Sequence, residues 1–83
     1  MRVVLDALRL QSKEEAHKYL CEALNFPEYY GGNLDALHEC LTEIDGAEIE
    51  FVNAEKVSGG YFARVMKVFT DSAEENPSLK IFA

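Results

Sequence analysis

The sequence predicts an α/β domain built on a small three-stranded parallel sheet covered by three to four helices. Three observations lead there. Short apolar or alternating runs stand at 3–5, 47–52 and 79–82, the lengths and compositions that strands favour. The segments between them repeat their apolar residues at the spacing of one helix face. Strands separated by helical crossovers pair in parallel, with right-handed connections. At 83 residues the chain allows one domain, expected to span 1–83. A domain this small buries only about 60–65% of the surface its unfolded chain exposes, so its stability margin is thin.

Val3-Val4-Leu5, closed by Asp6, reads as a buried first strand. Ser12-Lys13-Glu14-Glu15 has the form of a capping box, in which the Ser12 hydroxyl accepts from the Glu15 N–H and the Glu15 carboxylate reaches back. The helix it opens runs to about Leu24, with Ala16, Tyr19, Leu20, Ala23 and Leu24 inward and His17 at an exposed position. Asn25 and Pro27 end it, because proline fixes its own φ and pushes the preceding residue out of helical geometry.

Tyr29-Tyr30 then lead into Gly31-Gly32, a pair able to turn through positive φ without steric cost, and Asn33 stands where an N-cap belongs. The second helix is expected to finish near Glu43–Asp45, before Gly46. Leu34, Leu37, Cys40, Leu41 and Ile44 fall on its apolar side. Asp35, His38, Glu39 and Thr42 fall on the other.

Ala47 to Val52 alternates apolar and acidic residues, the sign of a strand with one wet face. One helical turn is expected over 53–57, before Ser58-Gly59-Gly60 resets the direction. A longer helix follows from Tyr61 to about Glu75. Phe62, Val65, Met66, Phe69 and Ala73 line one of its faces; Arg64, Lys67, Asp71, Glu74 and Glu75 lie away from it. Asn76-Pro77-Ser78 is a turn, and Leu79 to Phe82 a last strand.

Fifteen acidic against eight basic residues give a net charge of −7. Such a molecule repels phosphate backbones, which argues against nucleic acid as a partner, and it attracts basic proteins. Acidity alone also serves solubility. Cys21 and Cys40 sit at apolar helical positions and read as buried free thiols of a reducing compartment. The opening Met-Arg-Val-Val-Leu is broken by Asp6 and Arg9, unlike a signal peptide, and no apolar run approaches the ~20 residues of a membrane span. The expectation is a cytoplasmic protein without a membrane partner.

His38 and Glu39, with Asp35 one turn back, make an acid–base pair conceivable. No nucleophile accompanies them: neither Ser12 nor Ser72 lies in a Gly-x-Ser-x-Gly elbow, and neither glycine pair has the spacing of a phosphate loop. The same three residues offer two or three metal ligands from one helix turn but lack a fourth. No catalytic residue, metal or cofactor is therefore expected. The third possibility is an interaction surface. Asp35, Glu39 and Thr42 form a ridge with His38 beside it, and carboxylates along a rigid helix can present to a basic cleft what successive phosphates would.

Pro27-Glu28-Tyr29-Tyr30-Gly31, then Asn33-Leu34-Asp35-Ala36-Leu37, then Cys40-Leu41 resemble the signature of the barstar family, intracellular inhibitors of barnase-type extracellular ribonucleases. Element order and apolar pattern extend the resemblance over essentially the whole chain. It implies a barstar-like sheet-and-helix fold and a one-to-one protein inhibitor rather than a catalyst. In the family, the second helix and the loop before it plug the ribonuclease active site, and an acid there takes the place of the substrate phosphate.

Carried over by position, Tyr29, Asn33, Leu34 and Asp35 match the motif, and Asp71 aligns with a further contacting acid. Where the family has tryptophan followed by aspartate, this chain has His38-Glu39. Glutamate sets the carboxylate about one methylene further out, and a typical aromatic anchor is gone. The resemblance and the outward ridge of the second helix together give an expected partner-binding set of Tyr29, Asn33, Leu34, Asp35, His38, Glu39, Thr42 and Asp71. The implied partner is a basic, barnase-like extracellular ribonuclease or a related toxin nuclease, and the departure implies either a different cognate enzyme or weaker binding to a barnase-type one. The alternative is an immunity or regulatory module for another basic protein, such as a non-barnase toxin nuclease or a nucleic-acid-binding regulator.

Overall fold

Three strands and three α-helices follow one another as β1 (Arg2–Asp6), α1 (Lys13–Ala23), α2 (Leu34–Glu43), β2 (Ala47–Val52), α3 (Gly60–Glu75) and β3 (Leu79–Phe82). Short 3-10 turns stand at Ala7–Arg9 and Ala54–Lys56. The second is the single turn expected over 53–57; the first was not expected from the sequence. The computed structural model describes residues 1–82; Ala83, counted in the expected domain, lies outside the described residues.

The sheet has the order β1-β2-β3, and both pairs are parallel. Leu5 lies beside Phe51 and Ile49 beside Ile81. Right-handed crossovers between successive neighbours place their helices on one face of such a sheet, and burial agrees. Leu5, Ala47, Ile49, Phe51 and Leu79 are buried. The alternate residues Arg2, Val4, Glu48, Lys80 and Phe82 face solvent. The first strand is thus not the buried run expected. Val4 is 52% exposed, because an edge strand with one open face can bury only every second residue. On that open face Arg2 reaches Glu48 at 3.3 Å and Glu50 at 2.7 Å.

Ser12 is the N-cap of α1, its carbonyl accepting the Ala16 N–H at 2.9 Å, but the capping box does not form. The Ser12 hydroxyl makes no cap bond, and Glu15 instead faces Arg9 at 3.8 Å. At the other end Asn25 takes the left-handed conformation (φ 54°), and the Phe26 N–H donates back to the Cys21 carbonyl at 3.0 Å. This is a Schellman-type stop. Cys21 and Cys40 are free but only partly buried, a correction to the expected core thiols. Burial, then the charges of Glu43 and Glu39, push the Cys40 thiol up.

The core joins Leu20 of α1, Leu37 and Leu41 of α2, Val65 and Phe69 of α3 and the inner sheet residues, all but Phe51 and Leu79 fully inaccessible. Phe51 and Phe69 meet edge to face, centroids 5.1 Å apart. Asn76, buried after α3, donates to the Leu41 and Ile44 carbonyls at 2.9 and 2.7 Å and accepts from the Ser78 N–H and hydroxyl. Carbonyls left unpaired at the end of α2 are thereby satisfied from the turn before β3.

His17, expected on the surface, is 4% exposed. Its Nδ1 lies 2.6 Å from the Tyr30 hydroxyl and its Nε2 2.5 Å from that of Tyr61, tying α1 to the loop and to α3. A neutral imidazole donates from one nitrogen and accepts at the other, so one tyrosine accepts and the other donates. Burial, reinforced by the Lys13 ammonium, holds the His17 pKa below its ordinary 6.5.

The unfolded chain therefore binds more protons than the fold between these two values, and stability is lost as pH falls below the ordinary histidine pKa. Urea midpoints followed from about pH 8 down to about pH 5 should decline on that limb, and less in a His17→Gln variant. A parent midpoint that stays level through this interval contradicts a neutral, buried His17.

Candidate functional site

The outward side of α2 is set by what its inward side buries. Leu37 and Leu41 are fully inaccessible, with Leu34, Cys40 and Ile44 half-buried around them. At 100° per residue, Asp35 and Glu39 then point almost directly away from the core, one turn apart. Both are exposed, and neither has an ion-pair partner among the described residues.

The helix begins as its sequence requires. Asn33, in extended conformation, accepts the Ala36 N–H on its Oδ1 at 2.8 Å. Gly32 has a positive φ of 67°. Gly31 does not, but a Cβ there would lie 3.3 Å from that of Ala36, so a side chain would fit only if α2 gave way by a few tenths of an ångström. The adjacent tyrosines have opposite fates. Tyr30 packs on Phe26, centroids 4.9 Å apart, and bonds His17, which pins the loop. Tyr29 is 87% exposed.

The remaining expected residues are placed less simply. His38 leans towards α3, its Nε2 2.6 Å from the Glu75 carboxylate. Thr42 is half-buried and donates its hydroxyl to the Glu39 carbonyl at 3.0 Å, turned back on its own helix. Asp71, on α3, sits 3.3 Å from Lys67 Nζ. Leu34 is half-buried, and the Asn33 side chain is occupied by the cap.

Two clefts flank the outward row. One, of about 350 Å³, lies between residues 24–27 with Tyr29 on one side and Glu39, Cys40, Glu43 and Ile44 on the other. The second, of about 220 Å³, lies at the start of α2 and is lined by Lys13, Asn33, Leu34, Asp35, Tyr61 and Arg64. Tyr29 with Glu39, and Asn33 and Leu34 with Asp35, are thus brought together, whereas His38, Thr42 and Asp71 line neither cleft. A larger cleft of about 590 Å³ runs along α1 against Tyr30 and Gly32.

Glu43 and Glu75 were not singled out by sequence reasoning. Glu43 follows Glu39 at i+4 and was legible as the same ridge. Glu75 meets His38 across 37 positions, and no local pattern announces that. Among the described residues no group of three or more His, Cys, Asp or Glu is placed to hold a metal ion, and no helix is long and apolar enough to cross a membrane.

Comparison with known proteins places these features in a family context. The family profile described as Barstar (barnase inhibitor) matches residues 1–82. A Bacillus subtilis (strain 168) protein named "Putative ribonuclease inhibitor YrdF" is 33% identical over 81 residues, covering 89% of this chain and 87% of that protein.

Because the Asn33 side chain is spent on the cap, Asn33→Ala should cost about 1 kcal/mol of folding stability, and Asn33→Asp little. Urea unfolding of the two variants checks this; equal losses would mean that the cap bond contributes nothing.

Proposed function

This chain belongs to the barstar family, and from that premise we propose that it inhibits a basic ribonuclease by laying α2 and the preceding loop across the enzyme's active site. The family is one of inhibitors rather than enzymes. One observation carries the mechanism: Asp35 and Glu39 stand without an ion-pair partner among the described residues, on the outward side of a helix whose inward side is locked in the core.

A ribonuclease cleft is lined by cations that hold phosphates. Carboxylates held at fixed spacing meet those cations without first being ordered, so less of the interaction is lost to side-chain entropy. Glu39 takes the central place, as the acid next to the exposed Tyr29, whose ring adds apolar contact with a polar tip. Asp35 supplies the second acid. Asp71 joins from α3, because its exposed i,i+4 partner Lys67 holds it by only about 0.3–0.5 kcal/mol.

His38 distinguishes this inhibitor from the family pattern. An imidazole tied to Glu75 stands where the resemblance expects a large aromatic anchor, and the Glu39 carboxylate stands further from the backbone. Both changes favour a partner cleft of somewhat different depth from that of barnase. The protein would act in the cytoplasm, shielding its producer from a nuclease destined for export.

The first test immobilises the chain, captures from the source cells' medium and lysate, and assays retained proteins for RNA cleavage. A retained, inhibited ribonuclease supports the reading. Retention of a basic protein without nuclease activity favours a regulatory module instead. In calorimetry with the retained enzyme, Glu39→Ala should weaken binding most and Asp35→Ala next. Each loss should be about 2–5 kcal/mol, the general range for stripping one member from a buried charge pair, a range to which the barnase–barstar complex itself contributes. Glu39→Ala indistinguishable from the parent would remove the mechanism. Association should also slow steeply with added salt, since attraction between a −7 molecule and a basic one is screened beyond about 8–10 Å. A salt-independent on-rate speaks against steering.

A further inference from the structure

All three helices begin near one corner of the molecule, at the cleft lined by Lys13, Asn33, Leu34, Asp35, Tyr61 and Arg64. Lys13 is the first residue of α1, Leu34 the first of α2, and Tyr61 and Arg64 lie in the opening turns of α3. Asn33 is occupied by its cap bond and the Tyr61 hydroxyl by His17. Three charges remain: Asp35, Lys13 and Arg64. Lys13 and Arg64 are exposed, and neither has an ion-pair partner among the described residues, Asp35 included. Arg2, Arg9 and Lys67 are each held by a carboxylate of this chain, whereas Lys18, Lys56 and Lys80 also lack an ion pair among the described residues; what sets Lys13 and Arg64 apart is that they share a cleft with Asp35.

Two uncommitted cations beside Asp35 are out of place if this face only attracts positive charge, in a chain with 8 basic residues against 15 acidic. We propose that Lys13 and Arg64 receive a carboxylate side chain that the ribonuclease carries on the rim of its basic cleft. The inhibitor would then read a mixed pattern, with cations opposite Asp35 and Glu39 and one acid opposite this corner.

The inference rests on the inhibitor reading above and adds the partner's charge pattern to it. Arg64 offers a planar fork suited to a carboxylate, and Lys13 a point charge beside it. A phosphate fits less well: it would carry up to two charges into the field of Asp35 and of a −7 molecule. A carboxylate on a basic protein arrives with compensating cations. The arrangement also rejects wrong partners, since a basic nuclease lacking the acid would set its own cations against Lys13 and Arg64.

The sign of the effect makes the test sharp. Simple attraction to a basic partner predicts tighter binding when cations are removed from the inhibitor. The proposal predicts weaker binding. Calorimetry uses the full chain with the ribonuclease retained in the capture experiment, and barnase alongside it. Lys13→Ala and Arg64→Ala should each raise Kd about tenfold or more, as loss of a charged hydrogen bond does, while Lys13→Arg stays near the parent. Lys13→Glu should be rescued by changing one rim acid of the nuclease to lysine. Both side chains are exposed, so at about pH 8, above the range in which His17 governs stability, urea midpoints should shift little in any variant.

Unchanged or lower Kd for both alanine variants, with Glu39→Ala still losing affinity, overturns this inference and leaves inhibition standing. If Glu39→Ala has no effect, or no ribonuclease is retained, the reading beneath falls and this one with it. Inorganic phosphate titrated into the free chain at constant ionic strength covers the remaining case. Saturating shifts at the Lys13–Arg64 cleft, with nuclease affinity indifferent to both substitutions, would reassign the cleft to a small anion.

Discussion

Helix α2 cannot rotate about its own axis, and the surface of this molecule follows from that. Leu37 and Leu41 are fully buried in the core, on a helix that packs on α3, and turning them outward would expose two leucines at about 1.5–3 kcal/mol each. Both ends are fastened as well. Asn33 caps the first turn from within the loop, and Asn76, at the C-terminal end of α3, takes carbonyls at the close of α2. Asp35 and Glu39 face outward because every alternative orientation breaks one of these.

Most of that was written in local sequence. The apolar rows of α2 and α3, the alternation of β2 and the Asn33 cap depend on neighbours within a turn or a strand, and they appear where the spacing puts them. What escaped depends on partners far along the chain. His17 looks like an exposed helix position until Tyr30 and Tyr61 close over it, the latter 44 residues away. The box at Ser12 was chemically permitted, but the Ser12 hydroxyl makes no cap bond and Glu15 faces Arg9. Val4 belongs to an apolar run yet faces water, since strand order decides which face is covered.

The candidate site divides along the same line. Tyr29, Asp35 and Glu39 could be named from a motif and a helical wheel, because exposure on the far side of an amphipathic helix is a local property. The ties that modify the site could not. Glu75 reaches His38 from α3, and Lys13 and Arg64 share a cleft with Asp35 only when three helices start at one corner. Sequence therefore supplied the acids of this face and left their neighbours to the fold.

The brevity of α2 limits how far such an inhibitor can be pared down. Ten residues fall short of the ~12–15 that an isolated helix needs to hold together in water. A synthetic peptide copying 26–44 would carry the right carboxylates on a chain that is mostly coil, and ordering it would consume much of the attraction. Any miniature of this protein must import a substitute for α3 and the sheet, whether a hydrocarbon staple or another scaffold.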